Sequence, residues 1–184
     1  MTSSNLQVAR LSSAILMAGA FAVCATPGAW AQDKQKALFN TPAANTKYTQ
    51  QHAIDVGDAP GHQVRVFELQ RTYGNDAPMI GGLRVKESWT RGMTDFTDLN
   101  GPGVSYTTYV MDNGDKIYSR GTFEAHRIAG ADGKFTLKNL GAATITGGTG
   151  KLQGIRGMAR TENFADPKAG INESKGEIEY WMEK

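Results

Sequence analysis

The stretch Thr146-Gly147-Gly148-Thr149-Gly150-Lys151-Leu152-Gln153-Gly154-Ile155-Arg156-Gly157 constrains the fold of this chain more than any other part of it. Five glycines fall within eleven residues, and β-favouring segments flank them at Gly141 to Thr146 and Ile155 to Phe164. Glycines placed this way between strands mark a tight reversal, a positive φ or the close approach of two backbones. A phosphate cradle would need four residues between two glycines, then Gly-Lys-Ser/Thr and a helix. Neither the spacing nor the sequel fits, so the run reads as a hairpin that bends a sheet.

The chain from His62 onward agrees. Segments rich in Val, Thr, Tyr and Ile alternate with clusters of Gly, Asn, Asp and Pro, the pattern of antiparallel strands. It predicts strands near His62–Tyr73, Gly82–Thr94, Val104–Asp112, Lys116–Ile128, Lys134–Leu137, Ala142–Thr146, Ile155–Phe164 and Glu173–Glu183. Asp112-Asn113-Gly114-Asp115 is a hairpin signal, because Asn-Gly suits the mirror-image turn that matches strand twist. Ala131-Asp132-Gly133 is a second. The expectation is a single all-β domain over residues 62–184, a closed antiparallel barrel of about eight strands, calycin-like, wide enough for side chains or one small ligand. Residues 32–61 are polar without clear periodicity and read as an extended arm, with one strand at Tyr48–Val56.

The N-terminus carries Arg10, an apolar run from Leu11 to Ala25 and the small-residue segment Ala29-Trp30-Ala31. That is the architecture of a secretory signal peptide over residues 1–31, cleaved after Ala31, and the run is short for a bilayer span. The expected destination is the periplasm or the exterior. The only cysteine, Cys24, lies in the apolar run after Val23, a poor fit to a lipoprotein signal. The remaining chain would then carry no thiol. A net charge of +2 without a basic stripe argues against nucleic acid. His52, His62 and His126 show no metal-ligand spacing, no G-x-S-x-G is present, and neither metal nor cofactor is expected.

The glycine run Ile145 to Gly157 resembles the glycine-rich hairpin of the allene oxide cyclase and dirigent barrels. Upstream, Tyr106-Thr107-Thr108-Tyr109-Val110-Met111-Asp112-Asn113-Gly114, followed by Ile117 and Gly121, is similar to the aromatic strand, turn and glycine of the cyclases. Val66-Phe67-Glu68-Leu69-Gln70-Arg71 with Pro78 resembles their first strand. The resemblance spans Val64 to Phe164 and weakens between Gly82 and Pro102. It implies an eight-stranded barrel, often trimeric. It also implies a first-strand glutamate inside the barrel, at Glu68, that helps open an epoxide. An amide and a proline carbonyl hold a water in the family. Gln70 stands where the family has asparagine. Pro78 is displaced by one residue, and Ala77 replaces the serine before it.

Strand alternation puts Val64, Val66, Glu68, Gln70 and Thr72 on one face. If that face is interior, Glu68 sits among valines with a raised pKa and acts as a proton donor or as an anion opposite a developing cation. The opposite face, with Arg65, Phe67, Leu69, Arg71 and Tyr73, is also partly apolar, and in the alternative facing Glu68 is a rim or surface charge paired with an arginine. Read as outer positions, Phe67 and Leu69 suit a homo-oligomer contact, in a dimer or trimer. Glu87, Trp89 and Arg91 share a face of the next strand, as a cavity pair beside an indole or a salt bridge over ordinary core. Tyr106 is a further cavity-lining candidate. The expected function is binding of a small apolar ligand in the lumen without a cofactor. Glu68 is the catalytic candidate, and Gln70, Pro78, Trp89 and Tyr106 are the ligand-binding candidates. The alternatives are a cofactor-free cyclase or isomerase and a structural barrel with a filled interior.

Overall fold

The computed structural model describes residues 33–129, 135–166 and 169–183. The leader, Cys24 and the turn at Ala131-Asp132-Gly133 lie outside them. Among the described residues there are ten strands: β1 (Gln35–Thr41), β2 (Thr46–Asp55), β3 (His62–Thr72), β4 (Met79–Ile80), β5 (Leu83–Thr97), β6 (Gly101–Met111), β7 (Lys116–Ala129), β8 (Phe135–Gly148), β9 (Ile155–Asp166) and β10 (Ile171–Met182). All pairings are antiparallel. The ladder runs β1-β10-β9-β8-β7-β6-β5-β3-β2, with the two-residue β4 on β5. The two predicted pieces Lys134–Leu137 and Ala142–Thr146 belong to one strand, β8.

Two expectations are corrected here. Residues 35–55 are not an arm, because they form β1 and β2 at the two ends of the ladder. Only alternate positions of β1 (Ala37, Phe39 and Thr41) are buried, so its polar outer residues hide the strand in a composition reading. The ladder is also not closed. β1 pairs with β10, the chain turns at Pro42 and Ala43–Asn45, and β2 pairs with β3. Pro42 lacks the N–H a ladder needs, and the strand changes partner there. The sheet nevertheless curls until its ends touch: Asn172 Nδ2 of β10 donates to the Tyr48 hydroxyl of β2 at 3.0 Å.

The glycine run forms the β8–β9 connection. A short 3-10 turn at Gly150–Leu152 drops Leu152, fully buried, into a core with Ile80, Val85, Met111 and Ile117. Gly150 has a φ of +56° and abuts the Asp115 carboxylate. That carboxylate accepts the Lys151 backbone N–H at 3.0 Å. Gly157 lets β10 pack close, since a Cβ there would lie 2.1 Å from the Glu179 carbonyl oxygen. A separate apolar cluster joins Phe96, Ala125, Leu137 and Ala165.

The turn chemistry is redistributed. At Asn113-Gly114 only the glycine has a positive φ, +89°. The Gly114 N–H donates to the Met111 carbonyl at 2.9 Å and the Met111 N–H to the Asp115 carbonyl at 2.8 Å, a three-residue hairpin loop with glycine at the bulge position. Two successive positive φ values occur instead at Gly81-Gly82 (+58° and +74°), between β4 and β5, and at Asp98 (+49°) and Leu99 (+66°), between β5 and β6. A leucine there costs about 1–2 kcal/mol. Packing of Leu99 on the Phe96 cluster offsets that strain.

Candidate functional site

Each inward-facing stripe changes character along its strand. β9 reads Ile155, Gly157, Ala159, then Thr161 and Asn163, then Ala165; β8 reads Ile145, Ala143, Gly141, then Asn139, then Leu137. The apolar ends of these stripes form the two clusters already described, and the polar middles form a belt between them. The belt surrounds a partly open cavity of about 100 Å³ to which nine strands, all but β4, contribute side chains.

The phase of the first strands is opposite to the expected one. The cavity receives Arg65, Phe67, Leu69, Arg71 and Tyr73 from β3. Val66, Glu68, Gln70 and Thr72 therefore lie on the outer side. Glu68 accepts from Thr49 Oγ1 at 2.7 Å and forms an ion pair with Arg91 Nη2 at 2.7 Å. Gln70 Nε2 donates to Glu87 Oε2 at 2.8 Å. In β5 a bulge between Val85 and Glu87 breaks the expected alternation; beyond it Ser88 and Thr90 face the cavity, while Glu87, Trp89 and Arg91 do not. Tyr106 is 52 % exposed, and the Arg120 guanidinium lies over its ring. Pro78 is buried outside the cavity, its carbonyl accepting the Val85 N–H at 3.0 Å. None of the five sequence-predicted site residues lines the cavity. Phe67 and Leu69, expected on an outer contact face, line it instead.

The residues that the structure brings together are different ones. Arg71 is 9 % exposed. Its Nη2 donates to Asn172 Oδ1 at 2.9 Å and approaches Asn163 Oδ1 at 3.4 Å. Asn172 is oriented by its bond to Tyr48, so this network ties β2, β3, β9 and β10 across the gap in the ladder. Arg71 Nε and Asn139 Oδ1 are buried without hydrogen-bond partners. Burial pushes the Arg71 pKa down, opposed by the tyrosines Tyr73, Tyr48 and Tyr109. The guanidinium still keeps its proton at any working pH. Burial likewise pushes the Tyr109 phenol up, so it stays a neutral hydroxyl.

Other belt groups are paired. Tyr73 OH lies 3.1 Å from Ser88 Oγ, and Thr90 Oγ1 lies 2.9 Å from Thr107 Oγ1. Arg65 Nη1 donates to Gln51 Oε1 at 3.1 Å, and its guanidinium lies over the rings of Tyr48 and Phe67. Two arginines but no Asp or Glu appear among the described lining residues. The larger apolar side chains Phe67 and Leu69, set against Val64 and Val66, are the signal by which sequence could have identified the inner face of β3.

Comparisons with protein-family models, curated proteins and solved structures return no match to this chain. The functional reading therefore stands on the geometry of the cavity.

Proposed function

We propose that this chain is an exported, cofactor-free binding barrel that carries a small molecule in the belt between its two apolar clusters. One observation carries the reading. A fold that could have filled its centre with aliphatic side chains instead keeps an interior space bordered by hydroxyls, amides and guanidinium groups. Polar groups buried without full pairing cost free energy, and a bound ligand that satisfies them returns it. The volume of about 100 Å³ is well below the roughly 300–1,000 Å³ of pockets for drug-sized ligands, so the ligand is compact. The lining shifts the expectation from a purely apolar ligand to one with a polar end and an apolar body. The N-terminal pattern of Arg10, the apolar run and Ala29-Trp30-Ala31 supports export. The cyclase alternative relied on an enclosed Glu68; paired with Arg91 on the outer side, that carboxylate is not available to the lumen.

Native mass spectrometry tests the reading. The purified protein is expected to retain a small molecule that is released on unfolding, and a Thr107→Trp variant, which fills the cavity, to retain none. A protein that carries no adduct and takes up none from a mixture of small aromatic acids and alcohols would overturn it.

A further inference from the structure

We infer that the cavity is an oxyanion site: Arg71 binds the anionic head of a small monoanionic ligand, a carboxylate being the simplest, and the aromatic lining holds its body. The inference rests on the proposed binding role and names the ligand class for it.

The charge count comes first. The lining holds two cations, Arg65 and Arg71, and no acidic residue among the described ones. Acids are not scarce nearby, since Glu68 and Glu87 occupy the same strands. They face outward, where Arg91 and Gln70 engage them. A buried cation without a counter-ion costs several kcal/mol after relaxation, and the neutral oxygens of Asn172 and Asn163 compensate only in part.

The unused hydrogen-bonding capacity comes second. A guanidinium offers five N–H donors in a fixed fork. Nη2 is occupied by the two asparagines, while Nε is buried with no partner. A carboxylate is the group whose two oxygens match a guanidinium edge, and such pairs are about twice as strong as neutral hydrogen bonds. Tyr48, Tyr73 and Tyr109 line the same cavity, Tyr48 holding Asn172 and Tyr73 paired with Ser88. Burial keeps Tyr109 protonated.

The body of the ligand follows from the walls. Phe39, Phe67, Phe96 and Phe123 line the same space as the tyrosines. Flat rings bordering a cavity of about 100 Å³ suit a compact planar or short-chain body. A single head group and a short apolar body describe a small aromatic or short aliphatic acid.

The structural alternative is that Arg71 only stitches β3 to β10. Isothermal titration calorimetry with benzoate and with benzyl alcohol, its uncharged counterpart of similar size, separates the two. The wild-type chain is expected to bind benzoate about 10-fold or more tightly than benzyl alcohol. In Arg71→Met, benzoate affinity is expected to fall by about 10-fold or more, with benzyl alcohol binding held within about 3-fold as the sign of an intact cavity. Arg65 Nε is buried without a partner as well, but Arg65→Met is expected to have the smaller effect, because Arg65 is the less buried of the two, donates to Gln51 and stacks on two rings. Equal binding of the two probes by the wild type, or benzoate binding that survives Arg71→Met, would overturn the oxyanion site and leave the binding role standing. Failure of both probes to bind would remove both. A larger loss in Arg65→Met than in Arg71→Met would overturn the assignment to Arg71.

Discussion

The ends and the middle of the inward stripes are built for different purposes. Around Leu152 the interior is largely aliphatic and densely buried, with Ile80, Val85, Ile117 and Ile155 each fully buried. Around Arg71 it is polar, hollow and incompletely paired. The same strands supply both regions, so the contrast arises from the residues chosen at successive inward positions rather than from topology. The apolar end supplies the stability that a chain without a described disulfide needs. The belt uses some of that stability to hold a buried charge beside open space.

The contrast predicts unequal responses to equivalent truncations. Leu152→Ala is expected to lower unfolding free energy by about 2–5 kcal/mol, read by denaturant titration. Thr90→Ala, which removes one hydroxyl of a belt pair, is expected to cost about 1 kcal/mol. Equal losses at the two sites would erase the distinction.

A second prediction sets Arg71, whose charge does not change with pH, against a charge that has counter-ions. His62 lies between Asp58, 2.5 Å from Nδ1, and Asp95, 2.7 Å from Nε2. Hydrogen bonds to Asp95 and then Asp58 raise its pKa above the ordinary 6.5. The protonated form is favoured in the folded state, so its contribution is full below pH 6.5 and is lost as pH rises through the raised value. Stability measured from pH 6 upward is expected to decline over that window, and His62→Gln is expected to flatten the decline. An unchanged profile in the variant would show that the clamp does not hold.

The smallest effect is expected at Glu68. Its partner Arg91 is largely exposed, with 58 % of the side chain accessible, and ion pairs of that kind are worth about 1 kcal/mol or less. Glu68→Gln is expected to change stability by no more than that and to leave benzoate binding unaltered. A large loss of binding would return Glu68 to the lumen.

The strands from His62 onward were legible because β-branched runs and turn residues alternate there, and the glycine run identified its connection directly. The facing of the strands was not legible. Both sides of β3 mix charge with apolar residues, and a period of two turns a wrong first choice into an error at every position. The β5 bulge then shifted the phase again at Lys86, between Val85 and Glu87, with nothing in the local sequence to announce it. Arg71 and Asn172 lie 101 residues apart, so only the curl of the sheet brings them together. The mirror-image turn at Asp98-Leu99 was equally hidden, because Leu99 holds its positive φ through packing on a cluster assembled from distant strands.

Single-cysteine accessibility tests the strand phase most directly, in a background where Cys24, the only native thiol, is replaced by serine. Val66→Cys and Tyr106→Cys, at positions 48 % and 52 % exposed, are expected to react readily with a charged thiol reagent in the folded protein. Arg71→Cys and Tyr109→Cys, at positions 9 % and 7 % exposed, are expected to react only after unfolding. Protection at 66 and 106 with rapid labelling at 71 and 109 would put the opposite faces inside and contradict the account at its root.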